Sequence, residues 1–126
     1  VSEVRAVYRT GSAKANRTES HTALCRTVSE YLALHGAWVF RVHGHLGQQR
    51  GIPDTLACLH GRLVAVEVKT GKGQLSGVQE VQRQMIEGAG GLFIECRNLY
   101  DVEEALYGAG LIAERSLWPR RGGEEP

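Results

Sequence analysis

Three ionisable side chains in the middle of the chain, Asp54, Glu67 and Lys69, stand at a spacing that can carry hydrolytic chemistry. Between the first two, His60-Gly61 has the composition of a tight hairpin turn, because glycine readily takes the positive φ such turns need. A turn centred there pairs residues whose numbers add to 121, so Leu59 faces Arg62, Cys58 faces Leu63 and, by the same count, Asp54 faces Glu67. Directly opposed strand residues hold their Cβ atoms about 5 Å apart on one side of a sheet. Alternation adds Lys69, Leu63 and Ala65 to that side and sends Val64, Val66 and Val68 to the other.

Two carboxylates so close repel, and each is driven toward protonation unless a cation shares the site. A divalent ion resolves the conflict. Oxygen donors favour Mg²⁺ or Mn²⁺, either of which can polarise a phosphodiester and lower the pKa of water. Lys69 could orient that water or stabilise charge developing on the phosphate. A plain surface salt-bridge cluster would use the same residue types. The acid after Ile52-Pro53, the turn of matching length and Glu67-Val68-Lys69 closing an apolar strand make the combination more specific than any one piece.

The elements that must position these groups can be read from periodicity. Leu24, Val28, Tyr31 and Leu32 have the spacing of an amphipathic helix from about Thr18 to His35, with Gly36 as its stop. Trp38–Val42 is β-branched and aromatic, hence a strand, and Trp38 is expected in the core. A glycine-rich loop carrying Arg50 leads to two strands, Asp54–Leu59 and Arg62–Lys69. A helix is expected over Ser76–Glu87 with Val78, Val81 and Met85 on one face, then a strand over Leu92–Cys96. Asp101 and Glu104 resemble a capping pair for a last helix through Leu106. The order is α-β-β-β-α-β-α. A hairpin followed by a strand-helix-strand unit predicts an α/β fold with a central mixed sheet, a right-handed parallel crossover and helices on both faces.

The length of 126 residues suits one compact domain. Residues 18–116 are assigned to it, with 1–17 as a flexible basic arm and 117–126 as a disordered tail rich in Gly, Pro and charge. The net charge of +1 hides an asymmetry: residues 1–79 hold ten Lys/Arg against five Asp/Glu, and residues 80–126 hold five against nine. The basic half contains the candidate acids and suits a phosphate backbone. Cys25, Cys58 and Cys96 match no zinc pattern and read as buried reduced thiols, and no organic cofactor is implied. No apolar run is long enough to span a bilayer and the N-terminus lacks a secretory core, so an intracellular, soluble protein with no membrane partner is expected.

Gly51-Ile52-Pro53-Asp54, Val66-Glu67-Val68-Lys69 and Leu75-Ser76-Gly77-Val78-Gln79 together resemble the virus-type replication-repair nuclease (VRR-NUC) domain of the PD-(D/E)xK superfamily, over about Glu19 to Leu106. The resemblance implies a restriction-endonuclease-like core and a stand-alone phage-type endonuclease of DNA repair, working in the cytoplasm of a bacterial host if phage-encoded. It also implies relatedness to Holliday-junction resolvases and products with 5′-phosphate and 3′-hydroxyl ends. By the same resemblance Asp54 and Glu67 bind Mg²⁺ or Mn²⁺ with the Val68 carbonyl, Glu19 is an additional metal ligand, Lys69 serves the attacking water, and Gln79 supports the lysine or a phosphate.

Arg50, Lys72, Arg17 and Lys14 are candidate DNA contacts. A domain this small has little surface for reading bases, which favours recognition of branched DNA by shape. A homodimer would bring two active sites to the two strands of a junction. A competing mechanism would use His43 or His45 as general base, and Trp38 or Trp118 could stack on bases. The alternative function is a non-catalytic DNA-binding or partner-binding module that keeps the nuclease fold.

Overall fold

A computed structural model describes residues 20–44 and 49–117. The basic arm with Lys14 and Arg17, the candidate ligand Glu19, His45, Trp118 and nearly all of the expected tail lie outside the described residues.

The chain runs α1 (His21–Leu34), β1 (Trp38–Arg41), β2 (Thr55–Leu59), β3 (Arg62–Val68), α2 (Gly77–Gly88), β4 (Leu92–Cys96) and α3 (Leu99–Gly108). The element order and the α/β class are those predicted. The strands lie in the order β1-β2-β3-β4, antiparallel across the first two junctions and parallel between β3 and β4, so the sheet is mixed.

Local chemistry explains the boundaries. Ser20 accepts from the Ala23 N–H and starts α1, whose Leu24, Cys25, Val28, Tyr31 and Leu32 are all buried. Each such apolar side chain contributes about 1.5–3 kcal/mol by leaving water. His60 and Gly61 both take positive φ, 51° and 79°, the pattern of a two-residue hairpin turn. That turn sets Leu59 opposite Arg62 and Cys58 opposite Leu63, the expected register, continuing to Thr55 opposite Val66. Asp54 and Lys69 sit one residue outside the strands predicted to contain them, and Val42 one residue past β1, although the Val42 N–H still donates to the Asp54 carbonyl at 2.9 Å.

The last helix corrects the predicted cap. Asn98, not Asp101, caps α3: its side chain accepts from the Asp101 N–H, and Asp101 reaches back to the Asn98 N–H. The Asp101–Glu104 spacing was three residues too late because Asp101 is the reciprocal partner of a capping box rather than its start.

The main core lies on one side of the sheet, where α1 and α3 cover Ala57, Leu59, Val64, Val66, Val68, Ile94 and Cys96. The other face carries α2, which packs against β4. Here three expectations fail. Trp38 is 65% exposed because it stands on the edge strand, on the α2-bearing face but at the opposite edge of the sheet from β4, against which α2 packs, whereas its neighbour Val39 packs on the core. Cys58, expected buried, is exposed in register beside it. The stripe Val78, Val81 and Met85 also faces solvent. α2 instead turns Gln79, Gln82, Arg83 and Ile86 inward or partly inward, and Gln82 is its one fully buried residue among them. The apolar period was read correctly, but the helix is rotated so that its polar side meets the sheet, where Gln79 and Gln82 find partners.

Candidate active site

At one end of β3 the sheet, α1 and α2 converge. Asp54 leaves the Gly51-Ile52-Pro53 loop just before β2, and its Oδ2 accepts from the Val68 N–H at 2.8 Å. That loop lies tight against α2. Gly51 has φ +77°, and a Cβ there would meet the Val78 side chain at 2.6 Å, so a larger residue would displace the strand end that carries Asp54.

Glu67 is 4% exposed and faces the same end. Its Oε2 accepts from Gln79 Nε2 at 3.0 Å and lies 3.6 Å from Lys69 Nζ. Gln79 is itself held: its Oε1 accepts from the Ser76 N–H at 2.9 Å while its own N–H donates to Ser76 Oγ, the reciprocal cap of α2. One amide group thus starts the helix and grips the carboxylate. The sequence-derived Asp54, Glu67, Lys69 and Gln79 are brought together, with Gln79 on Glu67 rather than on the lysine.

Burial pushes the Glu67 carboxyl up to about 7 from near 4.5, and the negative charge of Asp54 adds to the rise; Lys69 opposes it. The pair of acids is short of positive charge, and a divalent cation is what such oxygens accept. Lys69 alone does not supply it. Such carboxylate oxygens are donors of the kind a divalent ion accepts.

Two features were missed in the sequence. His21, the first residue of α1, sets Nε2 at 3.2 Å from Asp54 Oδ2, and its Nδ1 lies 3.7 Å from Cys25 Sγ. Burial first, then Asp54, pushes the Cys25 thiol up to about 11. On the far side, Glu95 stands beside Glu67 in register on β4, but it is paired with Arg97 at 2.9 Å. The Arg97 guanidinium also donates to the Gly71 and Gly73 carbonyls, fixing the turn after Lys69. The sequence signal for His21 was its place one helical turn before Cys25, which says nothing of Asp54 thirty-three positions on.

Asp54 and Gln79 open onto a cleft of about 380 Å³ also lined by Val42, Arg50 and Ile52. Arg50 is exposed at this cleft and Lys72 is exposed on the turn after β3. The competing base His43 is not among the residues that line the cleft or bond the acids.

No family model, curated protein or solved structure matches the chain. Among the described residues no helix is long and apolar enough to cross a membrane.

Proposed function

We propose that the chain is a metal-dependent deoxyribonuclease of the VRR-NUC type that hydrolyses phosphodiester bonds, with preference for branched, Holliday-junction-like DNA. The observation that carries this reading is the convergence of Asp54, Glu67 and Lys69 at one strand end, with the Glu67 carboxyl raised to about 7 beside a second acid. Such a site is costly for the fold and suited to a cation and a phosphate.

Asp54 and Glu67 would hold Mg²⁺ or Mn²⁺, with the Val68 carbonyl and Glu19 as further ligands. The ion would polarise the phosphodiester and make water more acidic. The Val68 N–H fixes the direction of Asp54, and the Gln79 amide fixes that of Glu67. Lys69 sets its Nζ 3.6 Å from Glu67 Oε2, where it can stabilise charge developing on the phosphate. α1 and α2 both begin at the site, so their first-turn N–H groups add a field that favours an anion there. Arg50, Lys72, Lys14 and Arg17 would meet DNA phosphates and set the salt dependence of binding.

The test is incubation of the wild type, Asp54→Ala, Glu67→Ala and Lys69→Ala with plasmid, linear, flapped and four-way DNA in Mn²⁺ and in Mg²⁺. Cleavage by the wild type, strongest on the four-way substrate and reduced by roughly a thousandfold in each variant, is the expected outcome. Binding without cleavage by the wild type would favour the non-catalytic module.

A homodimer belongs to the same proposal. Trp38 and Phe40 stack in parallel, with ring centroids 6.1 Å apart; Cys58 and Leu63 continue their exposed row across the sheet, and Val81 and Met85 are exposed on α2. A two-fold axis pairs a patch with itself, so an apolar, uncharged surface suits a second copy of the chain. Sedimentation of the wild type should give a dimer at micromolar concentration, and Trp38→Glu with Met85→Glu should give a monomer. A wild-type monomer would remove the paired-site mechanism.

A further inference from the structure

Asp54 has a nitrogen donor beside it that arrives from the opposite layer of the fold. α1 packs on the core side of the sheet, yet its first residue, His21, reaches around the sheet end with Nε2 3.2 Å from Asp54 Oδ2. The donor atoms of His21, Cys25 and Asp54 all lie within 4.8 Å of one another; Glu67 is not in that group and adjoins it through Asp54. The His21 side chain is 48% exposed, so it is open to solvent and to an incoming ion.

An ion pair alone would be a weak reason for this placement. Exposed pairs are worth about 0–1 kcal/mol, and Asp54 Oδ2 already accepts from the Val68 N–H. The separation has a second reading. Two neighbouring ligands of an octahedral ion, each about 2.1 Å from it, lie roughly 3 Å apart, close to the distance between Nε2 and Oδ2. The other ring nitrogen is also provided for. With Nδ1 protonated and donating to Cys25 Sγ, Nε2 presents its lone pair toward the carboxylate, the outer contact by which ligating histidines are commonly oriented.

We propose that His21 is a nitrogen ligand of the ion that Asp54 holds, and that it makes this site prefer a first-row transition ion such as Mn²⁺ over Mg²⁺. The proposal rests on the metal-dependent reading above. Mg²⁺ takes oxygen donors almost exclusively, whereas imidazole suits transition metals, so one nitrogen among carboxylates shifts the balance between them. Cys25 acts through His21, as a buried acceptor that sets the ring's tautomer.

Electron paramagnetic resonance of Mn²⁺ added to the purified protein tests this without reference to turnover. The wild type should bind Mn²⁺, and the pulsed spectrum of the bound ion should carry the ¹⁴N modulation of a directly coordinated imidazole. His21→Ala should lose that modulation, bind Mn²⁺ roughly tenfold more weakly or worse, and lose a similar factor in Mn²⁺ over Mg²⁺ selectivity measured by competition. His43→Ala should keep the modulation. His21 is a surface residue in the first helical turn, and the wild-type spectrum needs no variant at all.

Mn²⁺ bound to the wild type without ¹⁴N modulation, or modulation that survives His21→Ala, would overturn the proposal while leaving the carboxylate site standing. Failure of the wild type to bind Mn²⁺, or equal binding by Asp54→Asn and Glu67→Gln, would overturn the metal-dependent reading itself.

Discussion

Two buried glutamates sit in this small domain under opposite conditions. Glu103 on α3 is fully buried, and its oxygens are met by donors: the Tyr31 hydroxyl at 2.8 Å, the Leu117 N–H at 2.8 Å and Ser116 Oγ at 3.5 Å. It ties α1, α3 and the segment after α3 into one network. Glu67 is nearly as buried, yet the group it faces includes a second carboxylate, and its pKa rises to about 7. A buried acid surrounded by donors serves the fold, whereas one set against another acid is strained when ionised, a strain that protonation or an added cation relieves.

The contrast breaks most visibly at Glu103. Glu103→Ala removes the buried carboxylate that accepts from the Tyr31 hydroxyl and the Leu117 N–H and should cost about 3–5 kcal/mol in urea unfolding. Cleavage per folded molecule should remain near the wild-type level. Glu67→Gln should do the reverse, removing activity while holding or raising stability at neutral pH and above.

A pH series sharpens the same comparison. The folded Glu67 keeps its proton to about pH 7, while the unfolded chain loses it near 4.5, so the folded state binds more protons across that window. Its contribution to stability therefore falls as pH climbs from 4.5 through 7, and the full loss, up to about 3 kcal/mol, stands above pH 7. Urea unfolding at pH 5 and pH 8 should show this fall in the wild type and its disappearance in Glu67→Gln. Saturating Mn²⁺ should also reduce it, because the ion stabilises the ionised carboxylate. An identical pH dependence in wild type and variant would remove the strain assigned to Glu67.

How far the sequence reached depended on whether a feature was local. The hairpin register was legible because the positive-φ pair His60-Gly61 fixes it within the turn itself, and with it the meeting of Asp54 and Glu67. Gln79 was found through its motif, but its grip on Glu67 depends on the capping box that turns its amide. Periodicity marked the Val78, Val81, Met85 stripe yet could not say which side of α2 meets the sheet, since an apolar stripe facing a core and one left outside have the same spacing. His21 and Glu103 act across 33 and 72 residues of chain, on Asp54 and Tyr31, and no local pattern encodes such contacts. Trp38 misled because an aromatic edge-strand residue has the composition of core whichever face it takes.

The central claim is that Asp54 and Glu67 share one divalent ion. Anomalous diffraction from crystals soaked in Mn²⁺ tests it most directly. The expected result is one strong manganese peak within bonding distance of both carboxylates; a well-diffracting soaked crystal with manganese elsewhere, or with none between those two acids, would contradict it.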